Sequence, residues 1–270
     1  MCAVTQHLLR PGARTVTQLD GLGVRRGGVL LVHASMRSAG GDAGDLAAAL
    51  RRALGPEGTL VVPAFTPENS DTSRSYLDRV RGLSEQARAA VRAAMPPFDA
   101  ATSPAHAMGV LAETVRRTPG ALRSGHPQTS FAAIGPAARA LLRDHRHDCH
   151  LGEDSPLARL YEADAQVLLL GTGFESCTAF HLAEYRVPAP ARRRYRCVVA
   201  SEGTRRWWEY EDIELDDGDF AALGTDFVRR MPAGSVRTGP VASAPSRLFG
   251  FRAAVDFATG WFKDHRPGGS

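Results

Sequence analysis

The chain has 270 residues, of which 43% are hydrophobic and 23% are charged, and its formal net charge is +4. This balance is typical of a soluble globular protein, and the length is sufficient for one domain with its own core. The sequence has no apolar run of about 18 residues that could span a membrane. Its first residues lack the apolar stretch and cleavage site of a signal peptide, so we expect a cytoplasmic protein without a membrane partner.

The excess positive charge comes from arginines that are scattered along the chain. The sequence has no Lys/Arg block, no zinc-finger spacing and no aromatic RNA-binding motif, so we expect no nucleic-acid partner. The four cysteines are far apart and form no CxxC pair, which predicts free thiols in a reducing compartment. They are Cys2, Cys149, Cys177 and Cys197.

The first third of the chain alternates between apolar runs and an amphipathic segment. Residues 28–33 and 59–65 are short runs rich in Val and Leu, which predict buried strands. Between them, residues 45–54 have apolar side chains at helical spacing and precede Gly55 and Pro56, which predicts a helix that ends there. This strand–helix–strand unit is typical of an α/β fold with a partly parallel sheet.

Helical patterns predominate in the middle of the chain and lead to a third strand. They predict four further helices, over residues 84–95, 107–117, 136–143 and 155–161. Residues 166–170 predict a buried strand that runs into a Gly-Thr-Gly loop. A helix then begins at Thr178 and ends before Pro188.

The last third changes to an antiparallel pattern. Residues 195–200 and 205–213 predict two strands around a turn at 202–204, which together form a hairpin. The remaining patterns predict a helix, a strand and a terminal helix, over residues 219–230, 236–242 and 245–262. Because the chain has no internal repeat and no long linker, we predict one α/β domain with a mixed sheet over residues 1–270, with a hairpin addition at about 192–215.

A loop with polar side chains follows the first predicted strand. Its residues are Ser35, Met36, Arg37 and Ser38, all of them polar except Met36. A loop that leaves the carboxyl end of a strand presents backbone N–H groups, and the arginine and hydroxyls add donors, so this loop suits a phosphate or pyrophosphate. An ordinary polar connection fits the same residues, because the loop is neither a Walker loop nor a GxGxxG fingerprint.

A second group of donors lies in the segment RSGHPQTSF, residues 123–131. His126 precedes a proline, which places it in extended or turn geometry. A cluster of donors on a turn can contact a ligand. A histidine that only caps the loop is the alternative interpretation.

A third group follows the Gly-Thr-Gly loop. If Thr178 opens the helix there, His181 and Glu184 lie three residues apart on one helix face, one turn after Thr178. A carboxylate beside an imidazole fixes its tautomer and increases its basicity, as a general base for an amine requires. A histidine with a purely structural role in the helix is the alternative.

Two charged tracts carry less specific patterns. Residues 144–150, DHRHDCH, look like a metal-binding tract, but their spacing matches no zinc site and they are predicted to lie in a surface loop, so we expect no metal. The acidic run at residues 209–219 is typical of a solvated hairpin edge. Loop carboxylates near the strand ends can attract a cation to a basic protein. They are Glu68, Asp71, Glu153, Asp154 and Glu175.

Seven motifs occur in a fixed order along the chain. They are HASMRSAG, GPEGTLVVPAFT, MPPFDAATSPAHAMGVLAETVRR, RSGHPQTSFAAIG, GEDSPLARLYE, VLLLGTGF and TAFHLAEYR. Together they resemble the aminoglycoside 3-N-acetyltransferases, the antibiotic N-acetyltransferase family. Ordered motifs over most of a chain are far more specific than any single motif, and the absence of a GxSxG elbow argues against a hydrolase.

The resemblance implies a fold and a donor. The fold is α/β of the antibiotic N-acetyltransferase type, distinct from the GNAT acetyltransferases, and the donor is acetyl-CoA, with no metal. The resemblance places CoA near the Ser-rich loop and the HPxxSF motif. The matching positions here are Ser35, Met36, Arg37, Ser38, His126, Ser130 and Phe131.

The resemblance also implies a base and an acceptor region. The base is the histidine of the HxAE motif, here His181, which Glu184 supports, and helix spacing alone adds Thr178 to this catalytic site. The acceptor region lies after the VPAFT strand and around GEDSP. Its candidates are Glu68, Asn69, Asp71, Glu153 and Asp154.

The function implied by the resemblance is acetylation of the 3-amino group of a 2-deoxystreptamine aminoglycoside, which confers antibiotic resistance. The protein is expected to be a monomer or a homodimer. An acetyltransferase for another amine in a biosynthetic pathway is one alternative, because the CoA and base motifs are shared by such relatives. A CoA-binding module without catalysis is another.

Overall fold

Nine strands form two sheets in the part of the chain that the structure describes. This computed structural model describes residues 11–201 and 203–266. The strands are β1 (Val29–Ala34), β2 (Thr59–Pro63), β3 (Leu122–Arg123), β4 (Phe131–Ile134), β5 (Gln166–Leu170), β6 (Arg192–Ser201), β7 (Thr204–Ile213), β8 (Val236–Val241) and β9 (Ala244–Gly250). Seven strands form a mixed sheet in the order β3-β4-β2-β1-β5-β9-β8, and β6 and β7 form a separate hairpin.

Eleven α-helices in the same residues connect and cover the strands. They are α1 (Pro11–Leu22), α2 (Met36–Ala39), α3 (Ala43–Leu54), α4 (Arg74–Arg79), α5 (Glu85–Ala93), α6 (Val110–Arg117), α7 (Ala138–Leu142), α8 (Pro156–Glu162), α9 (Ala179–Tyr185), α10 (Phe220–Arg230) and α11 (Phe251–His265). Several begin at a polar residue whose side chain accepts a hydrogen bond from the first turn, as Asp42 does for α3 and Ser155 for α8. None is long and apolar enough to cross a membrane.

The centre of the large sheet is parallel. β1 pairs in parallel with β2 on one side and with β5 on the other, and β4 and β9 extend the sheet in the antiparallel sense. Helices cover both faces, so the central strands are continuous apolar runs, and Leu30, Leu31 and Val32 are at most 1% exposed. The carboxyl ends of the three parallel strands therefore meet at one edge of the sheet.

Two apolar layers fix the helices on the sheet. Phe180, Phe220 and Phe251 belong to the layer under α9, α10 and α11. Leu19 and Leu50 belong to the layer under α1 and α3 on the opposite face. Since only a short loop with one 3₁₀ turn, Phe174–Ser176, separates α9 from β5, this packing holds the first turn of α9 at the carboxyl edge of the sheet.

The hairpin packs on the long segment between β2 and β3. Isolated bridges join Ser70 to Cys197 and Phe98 to Val199, and Val198 is buried in a small cluster with side chains of that segment. The hairpin and the segment therefore hold each other beside the main sheet. The predicted α/β fold with a mixed sheet and an antiparallel addition is confirmed.

The terminal helix begins later than the sequence pattern predicts. A helix is predicted over residues 245–262, but residues 244–250 form β9 and α11 starts at Phe251. In β9 the side chains of Ala244, Ser246 and Leu248 are buried at every second position. The buried Phe249 and Phe251 beside them hide this two-residue period, which is why the pattern resembles a helix.

Besides β9, five α-helices and strands of the described chain are missing from the sequence predictions, and four of these five are short. They are α1, α2, α4, β3 and β4. Periodicity cannot assign runs of two to six residues, because they contain too few repeats of either period. The other predicted helices and strands are present, with ends shifted by a few residues.

Candidate active site

A cavity of about 310 Å³ opens at the carboxyl ends of β1, β2 and β5. Residues just after these strands line it, among them Ser35, Phe65 and Thr178. The turn before α6 contributes Met108, and the loop before α10 contributes Asp217. Ligands of open α/β sheets bind at this edge, so the cavity is the candidate active site.

His181 and Glu184 form a hydrogen-bonded pair on α9. The distance from His181 Nδ1 to Glu184 Oε2 is 2.6 Å. Glu184 is buried, whereas His181 lines the cavity, where its ring packs on Phe220 with the centroids 4.7 Å apart. With Nδ1–H donating to the carboxylate, Nε2 of His181 is the nitrogen that can accept a proton.

Two further groups donate hydrogen bonds to the carboxylate of Glu184. Arg266 Nη1 lies 2.5 Å from Glu184 Oε1, and the backbone N–H of Asp216 donates to the same oxygen at 3.0 Å. Arg266 also pairs with Asp219, at 2.5 Å. Burial lowers the pKa of Arg266, but its hydrogen bonds to Asp219 and Glu184 outweigh burial, so the pKa lies above its usual value. A permanent cation thus balances the charge of the buried carboxylate.

A second histidine, His33, lies at the end of β1 and lines the same cavity. Its Nε2 lies 3.3 Å from Thr178 Oγ1. Burial, followed by the nearby charge of His181, lowers the pKa of His33 to about 3, so the ring is neutral at physiological pH. The sequence analysis did not select His33, although its position at the end of a buried strand was a usable signal.

The four residues of the Ser-rich loop differ in their access to the cavity. Ser35 lines it, and its hydroxyl caps α2 by accepting a hydrogen bond from Ser38 N–H at 3.4 Å. Met36 is half-buried, and Arg37 and Ser38 are exposed. The structure therefore brings Ser35 to the site and leaves the other three beside it at the surface.

His126, Ser130 and Phe131 are buried and do not line this cavity. His126 Nδ1 accepts hydrogen bonds from the backbone N–H groups of Gln128 and Thr129, at 3.1 and 3.0 Å. The Ser130 hydroxyl donates to a backbone carbonyl just after β2, at 2.8 Å, and Phe131 is fully buried in β4. This placement favours the loop-capping alternative for His126 over direct contact with a ligand.

Two carboxylates line the cavity, Glu175 and Asp217. Glu175 Oε1 accepts a hydrogen bond from Gly173 N–H at 2.8 Å, and Asp217 lies 3.1 Å from the guanidinium of Arg74. The sequence identified Glu175 only as one of several loop carboxylates. Asp217 belongs to the acidic run that was interpreted as a solvated edge. Its side chain is 43% exposed, and the residue also lines the cavity.

The other predicted acceptor residues lie outside the cavity lining. Asp71 is buried in an ion pair with Arg196, whose Nε lies 3.0 Å from Asp71 Oδ1. Asn69 is buried and donates to the Pro127 carbonyl at 2.9 Å. Glu68 is exposed on the turn that follows β2.

Glu153 and Asp154 form exposed ion pairs. Glu153 pairs with Arg186 at 2.7 Å, and Asp154 pairs with Arg146 at 3.2 Å. Both carboxylates are more than half exposed. Exposed pairs of this kind are weak, so both carboxylates can exchange partners.

The segment DHRHDCH is a surface loop only in part. His145, Cys149 and His150 are buried, so the predicted exposure is wrong for them. His145 Nδ1 lies 3.0 Å from Ser124 Oγ, and His150 Nδ1 lies 2.9 Å from Asp212 Oδ2, so these side chains tie loops together. Within residues 11–201 and 203–266, no group of three or more His, Cys, Asp or Glu residues is arranged to hold a metal ion.

The three cysteines of the described chain carry free thiols, as predicted. Cys177 adjoins the cavity, but burial raises the pKa of its thiol to about 12. A thiolate is therefore absent at neutral pH, and Cys177 is not an activated nucleophile. Cys2 lies outside the described residues.

Known proteins match this chain over almost its whole length. The family model described as aminoglycoside 3-N-acetyltransferase matches residues 31–263. Aminoglycoside N(3)-acetyltransferase VII of Streptomyces paromomycinus is 38% identical over 277 residues, which cover 95% of this chain and 94% of the relative. The crystal structure of YokD protein from Bacillus subtilis has a TM-score of 0.88 and 34% identity, and covers 97% of this chain and 96% of its own.

A ligand-bound structure is among the matches. It is described as AAC-IIIb binary with CoASH and has a TM-score of 0.80 and 31% identity, with 96% of this chain and 98% of the other covered. The fold and the matches define an acyltransferase of the α/β class. The chain belongs to the aminoglycoside 3-N-acetyltransferase family, and the resemblance seen in its motifs is confirmed.

Proposed function

We propose that this protein transfers the acetyl group of acetyl-CoA to the 3-amino group of a 2-deoxystreptamine aminoglycoside, and so confers resistance to such antibiotics. The observation that carries this proposal is the His181–Glu184 pair, which faces a cavity at the carboxyl ends of the parallel strands. The names of the family's relatives support the acceptor class, and the CoASH-bound neighbour supports the donor.

The lining of the cavity fits the donor. Phe65, Met108 and Leu111 give one part of the wall an apolar surface suited to a pantetheine arm. Ser35 lies on the cavity, and Arg37 two residues later is exposed and free to meet a phosphate. When bound, acetyl-CoA supplies the activated acetyl group, and the residues of this chain position it.

The charges on the cavity fit a cationic acceptor. Glu175 and Asp217 place two carboxylates on the lining, although the protein as a whole is basic. Glu68, exposed on the turn after β2, adds a third carboxylate close to Phe65 in the chain. Local negative charge steers a polycation towards the site and raises its local concentration.

The mechanism assigns the proton transfer to His181. Its Nε2 takes a proton from the attacking amine as the carbon–nitrogen bond forms, directly or through one water. Glu184 stabilises the positive charge that develops on the ring, and Arg266 keeps that carboxylate in place. His181 can then return the proton to the departing thiol, so no covalent enzyme intermediate is required.

The test is release of the CoA thiol from acetyl-CoA with a panel of acceptors. The panel holds kanamycin, gentamicin, paromomycin, apramycin and several simple amines. We expect release with several 2-deoxystreptamine compounds, and NMR of the product is expected to place the acetyl group on the 3-amino nitrogen. A thiol-trapping reagent and a sample without acceptor provide the background rate.

Other outcomes separate the alternatives. Acetyl-CoA binding with turnover only on a simple amine would replace the aminoglycoside acceptor with the amine of a biosynthetic pathway. Binding without turnover on any amine would indicate a CoA-binding module without catalysis. Titration calorimetry with CoA measures binding in both cases.

A further inference from the structure

His33 is a buried imidazole that the proposed proton transfer does not use. It ends the parallel strand β1, whereas His181 lies on the helix that follows β5, so the two rings reach the cavity from neighbouring strands. Only 8% of His33 is exposed, yet the residue lines the cavity. A titratable side chain in this position needs an explanation, since a core position would normally be apolar.

The contact with Thr178 links the tautomer of His33 to the direction of one hydrogen bond. Thr178 precedes α9, but its hydroxyl does not cap the helix. Within residues 11–201 and 203–266, the partner of this hydroxyl is His33 Nε2, at 3.3 Å. A hydroxyl can donate to an unprotonated Nε2 or accept from an Nε2–H group. When the hydroxyl donates, the ring proton of His33 lies on Nδ1.

Nδ1 of His33 has no hydrogen-bond partner in the same described residues. It is also not among the enclosed polar atoms that lack a partner. A ring nitrogen that is neither paired nor enclosed, on a residue that lines a cavity, is available to a ligand in that cavity. With the proton on Nδ1, the ring offers one N–H group to the site.

The charge of the ring suits this task. Because burial and the charge of His181 lower the pKa of His33 to about 3, the ring stays neutral while His181 takes up a proton. Two cationic rings in one small cavity would repel each other and oppose the proton transfer to His181. A neutral imidazole donates a hydrogen bond without that cost.

We infer that the Thr178 hydroxyl donates to His33 Nε2, and that His33 donates its Nδ1–H to the carbonyl oxygen of the transferred acetyl group. As the amine nitrogen forms its bond to the carbonyl carbon, the oxygen becomes an oxyanion, which the N–H group stabilises. His181 takes the amine proton, the carbonyl re-forms, the carbon–sulfur bond breaks and the thiol receives that proton. His33 keeps its own proton throughout, and Thr178 is a positioning residue that fixes the tautomer. This inference rests on the proposed function.

The tautomer is tested without any ligand or turnover. In protein labelled with ¹⁵N-histidine, two-bond proton–nitrogen correlation spectra distinguish Nδ1–H, Nε2–H and doubly protonated rings, and the spectrum of His33→Asn assigns the signal. We expect His33 to be the neutral Nδ1–H form from pH 8 down to pH 5. An Nε2–H ring, or a ring that protonates near pH 6.5, would overturn the inference.

Thr178→Val provides a matched spectrum. It removes the hydroxyl and keeps the shape of the side chain, so Nε2 loses its donor. We expect the Nε2–H form of His33 to appear in this variant. An unchanged Nδ1–H signal would show that another contact fixes the tautomer, and would contradict the role given to Thr178.

A pair of amide substitutions tests the catalytic role. The amide nitrogen of His33→Asn can occupy the place of Nδ1, and that of His33→Gln the place of Nε2. We expect kcat to fall roughly 100- to 1000-fold in His33→Gln and His33→Ala, which lack the donor, with the KM for acetyl-CoA nearly unchanged. We expect His33→Asn to retain at least ten times the kcat of His33→Gln.

Failure of the inference and failure of the proposed function are distinguishable. If the wild-type protein does not acetylate any aminoglycoside, the proposed function fails, and the tautomer experiment still stands. Suppose that the wild type turns over, but that kcat falls equally in His33→Asn and His33→Gln or is unchanged in both. The donor role of His33 is then wrong. Thermal unfolding of each variant separates lost catalysis from lost folding.

Discussion

At the scale of single residues, the site depends on two imidazoles with different partners. His181 has a carboxylate at 2.6 Å, and His33 has a hydroxyl at 3.3 Å. A charged partner stabilises the protonated form of a ring, whereas burial with a neutral partner favours the uncharged form. Two copies of one residue type, one at the end of β1 and the other on the helix after β5, therefore suit opposite tasks.

His181→Asn tests the base. We expect kcat to fall roughly 100- to 10,000-fold, because the amide cannot accept the amine proton. Titration calorimetry should show that CoA still binds, since Asn removes only the ring. Glu184→Gln is the companion variant, and we expect its kcat to fall at least tenfold, because an amide no longer fixes the Nδ1–H tautomer. Turnover of His181→Asn within threefold of wild type would remove His181 from the mechanism.

Sequence reasoning could find His181 and Glu184 but not the role of His33. The first pair is three residues apart on one helix, and helical geometry alone brings the side chains together. The contact between His33 and Thr178 spans 145 positions and exists because β1 and β5 are neighbours in the sheet. The order of strands in a sheet is not a local property of the sequence.

At the scale of elements, the segment after β2 and the hairpin are joined by charge as well as by backbone bridges. Asp71 of the segment pairs with Arg196 of the hairpin, and the carboxylate side chain is 7% exposed. Glu68, three residues earlier, is exposed. The carboxylates of Asp71 and Glu68 therefore have different environments, although nothing in the surrounding sequence distinguishes one from the other.

Asp71→Ala and Glu68→Gln separate these two environments. Removing Asp71 leaves Arg196 with only the exposed Glu209, 3.5 Å away, as a charged partner. We therefore expect the free energy of unfolding to fall by roughly 2 kcal/mol, with little change in the KM for the acceptor. Glu68→Gln should leave unfolding unchanged and raise the KM for a polycationic acceptor several-fold, most clearly at low salt. Urea unfolding and steady-state kinetics measure both. A raised KM in a fully stable Asp71→Ala protein would show that Asp71 binds the acceptor.

The errors at this scale share one cause. Residues 245–250 were predicted as part of a helix because Phe249 and Phe251 hide their two-residue period, but residues 246–250 pair with β5 through their backbone. Arg196, Arg186 and Arg146 neutralise carboxylates that the sequence made candidates for substrate binding. Pairing partners, whether strands or charges, come from distant parts of the chain and leave no local pattern.

At the scale of the whole molecule, several histidines are buried in uncharged form. Burial lowers the pKa of His33 and of His145 to about 3. Burial also lowers the pKa of His126 and His150. The unfolded chain binds protons at these positions near the ordinary value of 6.5, so acid favours unfolding.

The stability of the fold should therefore fall as the pH decreases below 6.5, and continue to fall towards pH 3. For a ring shifted from 6.5 to about 3, the loss between pH 7 and pH 5 is about 2 kcal/mol, and His33 and His145 contribute separately. Urea midpoints at several pH values measure this loss. His145→Gln removes one of these rings, so we expect the free energy of unfolding to depend less steeply on pH, by the contribution of that ring. An unchanged midpoint between pH 7 and pH 5 would contradict the prediction.

The class of fold was predictable because it depends on the hydrophobic period of each element and on the order of strands and helices along the chain. The runs at β1, β2 and β5 are apolar throughout, as strands buried on both faces must be, and helices follow β1 and β5. Neither feature changes when the end of an element is predicted a few residues too early or too late. The antiparallel strands β4 and β9 were missed, because each depends on its pairing with a central strand rather than on its own composition.

The hairpin and the segment between β2 and β3 depend on each other through their contacts. His33, Thr178 and His181 belong to the parallel core, whereas these two additions are joined to each other by bridges and by the Asp71–Arg196 pair. A chimera that receives both parts from one relative keeps that relative's own contacts between them. A chimera that receives only one part separates Asp71 from Arg196 and breaks the bridges. Exchange between relatives of this architecture is therefore expected to succeed more often when the two parts are replaced together.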